Sequence, residues 1–145
     1  MGEKREKRES RVNRTRLSAL SYGKRRKEDY IACKAGYRAA YICDAVQQVL
    51  SGRLALHEIA GLSDEALIEA LERVQGVGDK VANCIALFAY GRTACAPVDT
   101  WIKKIIEQKY NGQNPFERYG AAAGIMQQYF FYYAQKNKIE MVSRK

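Results

Sequence analysis

From Asp29 onward the apolar residues return every three to four positions, the spacing that lines one face of a helix. Over 38–51, Ala39, Ile42, Val46 and Val49/Leu50 share one stripe, and Gly52 stands just past its end, where helices favour glycine. A short helix is expected around 54–59. Ser63 suits an N-cap, with Asp64 and Glu65 in the first turn of a helix carrying Leu67, Leu71 and Val74. Gly76-Val77-Gly78 breaks that pattern for only three residues. A second helix then runs from Asp79 or Lys80 to about Tyr90, and Gly91 stops it. Pro97 keeps the next stretch extended. Asp99 occupies the N-cap position of a helix bearing Trp101, Ile102, Ile105 and Ile106. A last long helix is expected from about Pro115 to Gln135. No stretch alternates as a strand would. The fold class expected is all-α, a helical bundle built around two helices joined by a hairpin.

Residues 1–28 differ. They lack a sustained apolar period and read as a basic, mostly disordered segment, which leaves 29–145 as one domain. The net charge of +9 is concentrated there: this segment has eleven Lys/Arg against four Glu, and residues 29–145 have fourteen Lys/Arg against twelve Asp/Glu. Such a tail could grip phosphates without specificity. The charge of the folded part is too small to argue for nucleic acid without a motif. Cys33, Cys43, Cys84 and Cys95 form no C-x-x-C pair, which suits free thiols better than zinc or a disulfide framework. No apolar run approaches the ~20 residues that span a bilayer, and the charged N-terminus lacks a signal peptide's apolar stretch. A cytoplasmic location is expected, nucleoid-associated in a prokaryote.

The chemistry concentrates in residues 71–104. A helix ends, a glycine-bracketed hairpin turns, and another helix begins. Glycine permits positive φ and close backbone approach. Unpaired N–H groups at the new helix's N-terminus suit an anionic phosphate oxygen, and a grip of this kind holds DNA without reading its sequence. Lys80 falls on the first turn after the hairpin, with Cys84 one turn on and facing the same side. The N-terminal field and the following apolar face disfavour the lysine's charged form and favour a nucleophilic amine. Asp99 is expected to be oriented by its own helix's N–H groups, to stay ionised, and to stabilise positive charge on a sugar whose glycosidic bond is breaking. Taken singly, these residues are an ordinary turn, a solvent lysine and an N-cap. A G-V-G-x-K hairpin followed nineteen residues after its lysine by P-V-D at a helix start is far more specific.

That combination resembles the helix-hairpin-helix DNA glycosylase superfamily, and most closely the 8-oxoguanine DNA glycosylase/AP lyase family, over residues 29–137. The resemblance implies that Lys80 attacks C1′ of the damaged nucleotide to form a Schiff base, that β-elimination then nicks the strand, and that Asp99 is the essential carboxylate. It implies phosphate contacts at Gly76, Val77 and Gly78, and a structural cation held by the backbone carbonyls of Glu72, Val74 and Val77. No cofactor is implied for the chemistry. Gly36-Tyr37-Arg38-Ala39-Ala40-Tyr41 is similar to the family's G-Y-R-A-x-Y segment, in which Tyr37 would wedge into the duplex and Arg38 would contact the base left behind. Opening the stack is needed because the target atom cannot be reached in a closed duplex. On the last helix, Gln127 and Phe131 match the residues that hydrogen-bond and stack on the flipped base, and Cys84 matches the opposite pocket wall. The bland reading of that helix is a core-packing aromatic stripe, Tyr129–Tyr133.

Two departures qualify the match. Only 35 residues precede Gly36, and 1–28 do not match the family's region there, so an N-terminally truncated member is expected. Trp101 stands two after the aspartate, where animal members often carry histidine. An alkyl-base (3-methyladenine type) glycosylase and a noncatalytic helix-hairpin-helix DNA-binding fragment are the alternatives. Lys80 argues against the former, and its pairing with Asp99 against the latter. An iron–sulfur cluster is not expected, because no cysteine lies beyond residue 95. The expected partner is damaged double-stranded DNA, bound by a monomer.

Overall fold

In the computed structural model, residues 21–137 are described, and every regular element among them is helical. The α-helices are Lys27–Ala32 (α1), Arg38–Leu50 (α2), Asp64–Glu72 (α3), Asp79–Ala89 (α4), Thr100–Tyr110 (α5) and Ala123–Lys136 (α6). Short 3-10 segments lie at Ile59–Gly61 and Glu117–Ala122. No helix among the described residues is long and apolar enough to cross a membrane. The chain divides into two compact units, one ending at Val77 and the other starting at Gly78. The boundary therefore falls inside the hairpin, within the 29–145 stretch that composition presents as one domain.

In the first unit, the basic segment's described end is structured. Residues 1–20 lie outside the described residues, but α1 starts at Lys27, two residues before the expected boundary. The Arg26 N–H donates to the Asp29 carboxylate at 2.8 Å, which closes α1's first turn. Gly23 lies so close to the Leu50 side chain that a Cβ there would overlap it. Helix α1 packs on α2, and α2 ends as expected, with Gly52 at φ +77°. The helix expected at 54–59 is instead the single 3-10 turn Ile59–Gly61, joined to Leu62 in extended conformation. Ser63 caps α3 by accepting the Ala66 N–H at 3.3 Å. The α3 stripe is then buried at Leu67, Leu71 and Val74.

The second unit begins with α4, whose Ala82, Ala86 and Leu87 are buried. Its core gathers Ile102 and Ile105 of α5, Phe116, and Ala123 and Ala134 of α6. Full burial of side chains such as Ile102 and Phe116 stabilises by about 1.5–3 kcal/mol each. Phe130 packs edge-on to Phe116, with ring centroids 5.2 Å apart. Asn111 closes α5 in the left-handed region at φ 51°, and the Gly112 N–H donates back to the Ile106 carbonyl at 3.0 Å. This is the geometry that satisfies a helix's last carbonyls.

The last helix corrects the sequence expectation. It does not start near Pro115; α6 begins at Ala123. The intervening Glu117–Ala122 segment is interrupted at Gly120 (φ 48°, ψ −122°), a conformation no α-helix contains. The aromatic stripe is corrected too. Tyr129, Tyr132 and Tyr133 are exposed, and the α6 aromatics packed against the core are Phe130 and Phe131.

Candidate active site and nucleic-acid interface

The hairpin that follows α3 is a tight turn over Val74-Gln75-Gly76-Val77. The Val77 N–H donates to the Val74 carbonyl at 3.0 Å, and Gly76 has φ +83°. Positive φ at the third residue is what a type II turn demands. Of the three expected phosphate donors, Val77 thus spends its N–H within the turn. Gly78 is extended (φ −103°, ψ −179°) and stands at the N-cap of α4 without a capping side chain. An uncapped helix N-terminus turns its first N–H groups outward, where an anion can accept from them.

Helix α2 backs this turn with two side chains. The Asp44 carboxylate accepts the Gln75 N–H at 3.1 Å and, with the same oxygen, the Gln48 amide at 2.7 Å. The Tyr41 ring lies under Gly76, so a Cβ at that position would collide with it. One turn earlier, Tyr37 meets Tyr41 edge-to-face at 5.9 Å between centroids, and the Arg38 guanidinium sits 4.6 Å above the Tyr37 ring. Tyr37 is 69% exposed at the head of α2. Sequence reasoning assigned roles to Tyr37 and Arg38 and missed Tyr41 and Asp44. The available signal was spacing: 37, 41, 44 and 48 share one helical face.

The second unit holds the residues expected to do chemistry. Lys80 is the second residue of α4 and is exposed; Cys84, one turn on, is half-buried. The loop after α4 is tied down at Gly124. The Gly124 N–H donates to the Thr93 carbonyl at 2.8 Å, and a Cβ there would strike the Cys95 carbonyl and the Leu87 side chain. This close approach joins α4, the loop and α6 just ahead of Asp99. Asp99 is half-buried and caps α5, its carboxylate accepting the Ile102 N–H at 2.8 Å. One carboxylate oxygen is therefore held by the helix, which fixes the direction of the group.

Helices α5 and α6 pack on each other. On α6, Gln127 is 3% exposed, the one buried polar side chain among the described residues, and its oxygen accepts from the Gln128 amide. Phe131 is half-buried against the Ile102–Ile105 core. A surface groove of about 290 Å³ is lined instead by Tyr129, Phe130 and Tyr133, none of them expected in a pocket. Among the described residues, no group of three or more His, Cys, Asp or Glu is placed to hold a metal ion.

Known proteins resemble this chain in sequence and in backbone. The chain is 33% identical over 118 residues to a probable N-glycosylase/DNA lyase of Methanothermobacter thermautotrophicus, covering 75% of this chain and 38% of that protein. It is 35% identical over 94 residues to the N-glycosylase/DNA lyase OGG1 of Arabidopsis thaliana, covering 62% and 24%. Among solved structures it matches the Clostridium acetobutylicum 8-oxoguanine glycosylase/lyase, determined with duplex DNA containing cytosine opposite 8-oxoguanine, at a TM-score of 0.76 and 34% identity, over 83% of this chain and 44% of that one. It matches MBOgg1 in complex with a low-affinity DNA ligand at a TM-score of 0.76 and 32% identity, over 83% and 45%. No protein-family model matches the chain. By sequence and by backbone the chain is a homologue of the 8-oxoguanine N-glycosylase/DNA lyases, spanning less than half the length of the relatives it matches.

Proposed function

We propose that this chain carries the catalytic half of a base-excision repair glycosylase with AP lyase activity, acting on 8-oxoguanine in duplex DNA. The observation that carries the reading is the placement of Lys80 and Asp99 in one unit: an exposed amine on the first turn of α4, and a helix-held carboxylate at the head of α5. The amine's lone pair forms a bond to C1′ as the C1′–base bond breaks, and the base leaves with that electron pair and gains a proton. Opening the sugar at O4′ gives the protonated imine. Loss of a C2′ proton then expels the 3′ phosphate. Asp99 stabilises the positive charge that C1′ carries in the first step. Because Lys80 is exposed, desolvation of its amine must come from the bound nucleotide.

In this reading Tyr37 enters the duplex, Arg38 meets the base left behind, and Gly76 and Gly78 grip the backbone through their N–H groups, with Val77 closing the turn between them. Cys84, Gln127 and Phe131 receive the flipped base. The carbonyls of Glu72, Val74 and Val77 are hard oxygen donors suited to a monovalent or divalent cation. Glu72 ends α3, where the last carbonyls point off the helix, and the Val74 carbonyl keeps a second lone pair beside its bond to Val77. The chemistry needs no other cofactor. The partner is damaged duplex DNA, bound by a monomer in the compartment that holds the genome.

The test is incubation with a duplex carrying 8-oxoguanine opposite cytosine, followed by borohydride. A covalent adduct is expected, absent in Lys80→Gln. Asp99→Asn, which retains a good N-cap, is expected to fold and bind while releasing base at least about tenfold more slowly, as loss of transition-state charge stabilisation requires. No trapping by the wild type, on the lesion or on a preformed abasic site, would leave a DNA-binding module without catalysis.

A further inference from the structure

Both central residues of the hairpin turn are held by side chains one helical turn apart on α2. Asp44 fixes Gln75 through its N–H, and the Tyr41 ring fixes Gly76 from beneath. A type II turn left to itself would exchange with neighbouring turn forms, because its single Val77-to-Val74 bond is easily broken. With Gln75 held through its N–H and Gly76 held against the Tyr41 ring, the turn presents its remaining N–H, that of Gly76, in one direction. Asp44 is a peculiar choice for this place. It is a carboxylate set close behind a loop that receives an anion, so by charge alone it weakens binding. A second tie explains how it is kept there: the Gln48 amide donates to the same oxygen and holds the carboxylate against the turn. The same face of α2 carries Tyr37, in edge contact with Tyr41.

We propose that Asp44 and Tyr41 are positioning residues for DNA binding, a brace that presets the hairpin's phosphate-gripping conformation and joins it to the Tyr37 wedge. The inference rests on the reading of this hairpin as a DNA backbone grip. Neither residue touches DNA; each acts through the turn.

The brace and the charge predict opposite outcomes, which makes Asp44→Ala decisive. Affinity for a duplex containing a tetrahydrofuran abasic analogue would be measured against salt concentration. If the carboxylate acts only as a charge, its removal tightens binding. If it is a brace, Asp44→Ala weakens binding about tenfold, the scale of one hydrogen bond to a charged group. It also lowers the slope of log Kd against log salt by about 1, as expected when the hairpin releases one phosphate. Asp44→Asn keeps an acceptor for the Gln75 N–H and should restore both. Tyr41→Leu removes the flat ring under Gly76 and should reproduce the Ala variant, carrying the test if that variant fails to fold. The Gln75 amide gives a second readout: slow hydrogen exchange in the wild type and Asp44→Asn, fast in Asp44→Ala. A Leu67→Ala variant controls for general destabilisation and should leave the salt slope unchanged. Unchanged or tighter binding by Asp44→Ala, with an unchanged slope, overturns the brace while wild-type trapping leaves the proposed activity standing. Failure of the wild type to bind duplex DNA overturns both.

Discussion

At the scale of single residues, two positions carry opposed demands. Gly76 is required twice over, by its φ of +83° and by the Tyr41 ring against its Cα. Gly76→Ala should therefore cost about 2–4 kcal/mol, from left-handed strain and overpacking together, and urea denaturation would measure it. Lys80 lies at the other extreme. It is exposed and stands in the first turn of α4, where the helix's own field is unfavourable to a cation. Lys80→Gln is expected to be neutral or to stabilise by up to about 1 kcal/mol while it abolishes borohydride trapping. A gain of stability with complete loss of trapping marks a residue kept for chemistry; a clear loss of stability would assign Lys80 a structural role instead.

At the scale of elements, caps decide where helices begin. Ser63→Ala should cost about 1 kcal/mol, read as a lower thermal midpoint. Next to it, Glu65's own backbone N–H, and secondly the Ser63 side chain, hold the Glu65 carboxyl below its ordinary value of 4.5. A group depressed on folding supports the fold above its unfolded pKa and loses that support as pH falls through the folded value. Thermal melts from pH 6 down to 3 should show a shallower acid loss in Glu65→Gln than in the wild type. The caps and stripes of α2 to α5 were legible in the sequence, because Ser63, Gly52, Gly91 and Asp99 act on their immediate neighbours. The start of α6 was not. Gly120 lies amid residues that suit a helix, and the chain breaks there beside Phe116 and Tyr119, whose rings pack around Phe130 from the following helix. The site divides in the same way. Lys80 and Asp99 follow from local spacing, whereas the contacts of Asp44 and Tyr41 with the turn join residues about thirty positions apart.

At the scale of the whole molecule, charge is distributed very unevenly. Residues 1–20 hold seven Lys/Arg and three Glu, and residues 29–145 are nearly balanced. Under the proposed function, removal of residues 1–20 should weaken nonspecific DNA binding and flatten its salt dependence, since each phosphate left unneutralised lowers the slope by about 0.9. Trapping through Lys80 should survive. An unchanged slope would place the electrostatic grip in the helical part. The cap at the head of α5 has a further consequence, one for descent. Under the proposed function Asp99 has two separate uses, capping the head of α5 and serving the reaction, whereas Lys80 serves only the reaction and sits against its helix's preference. A lineage that gave up strand cleavage but still released bases would lose the lysine first and retain the aspartate for base release and for its helix. Among distant relatives of this chain, the lysine position should therefore report which ones still cut DNA, while the aspartate should persist in cutting and non-cutting glycosylases alike.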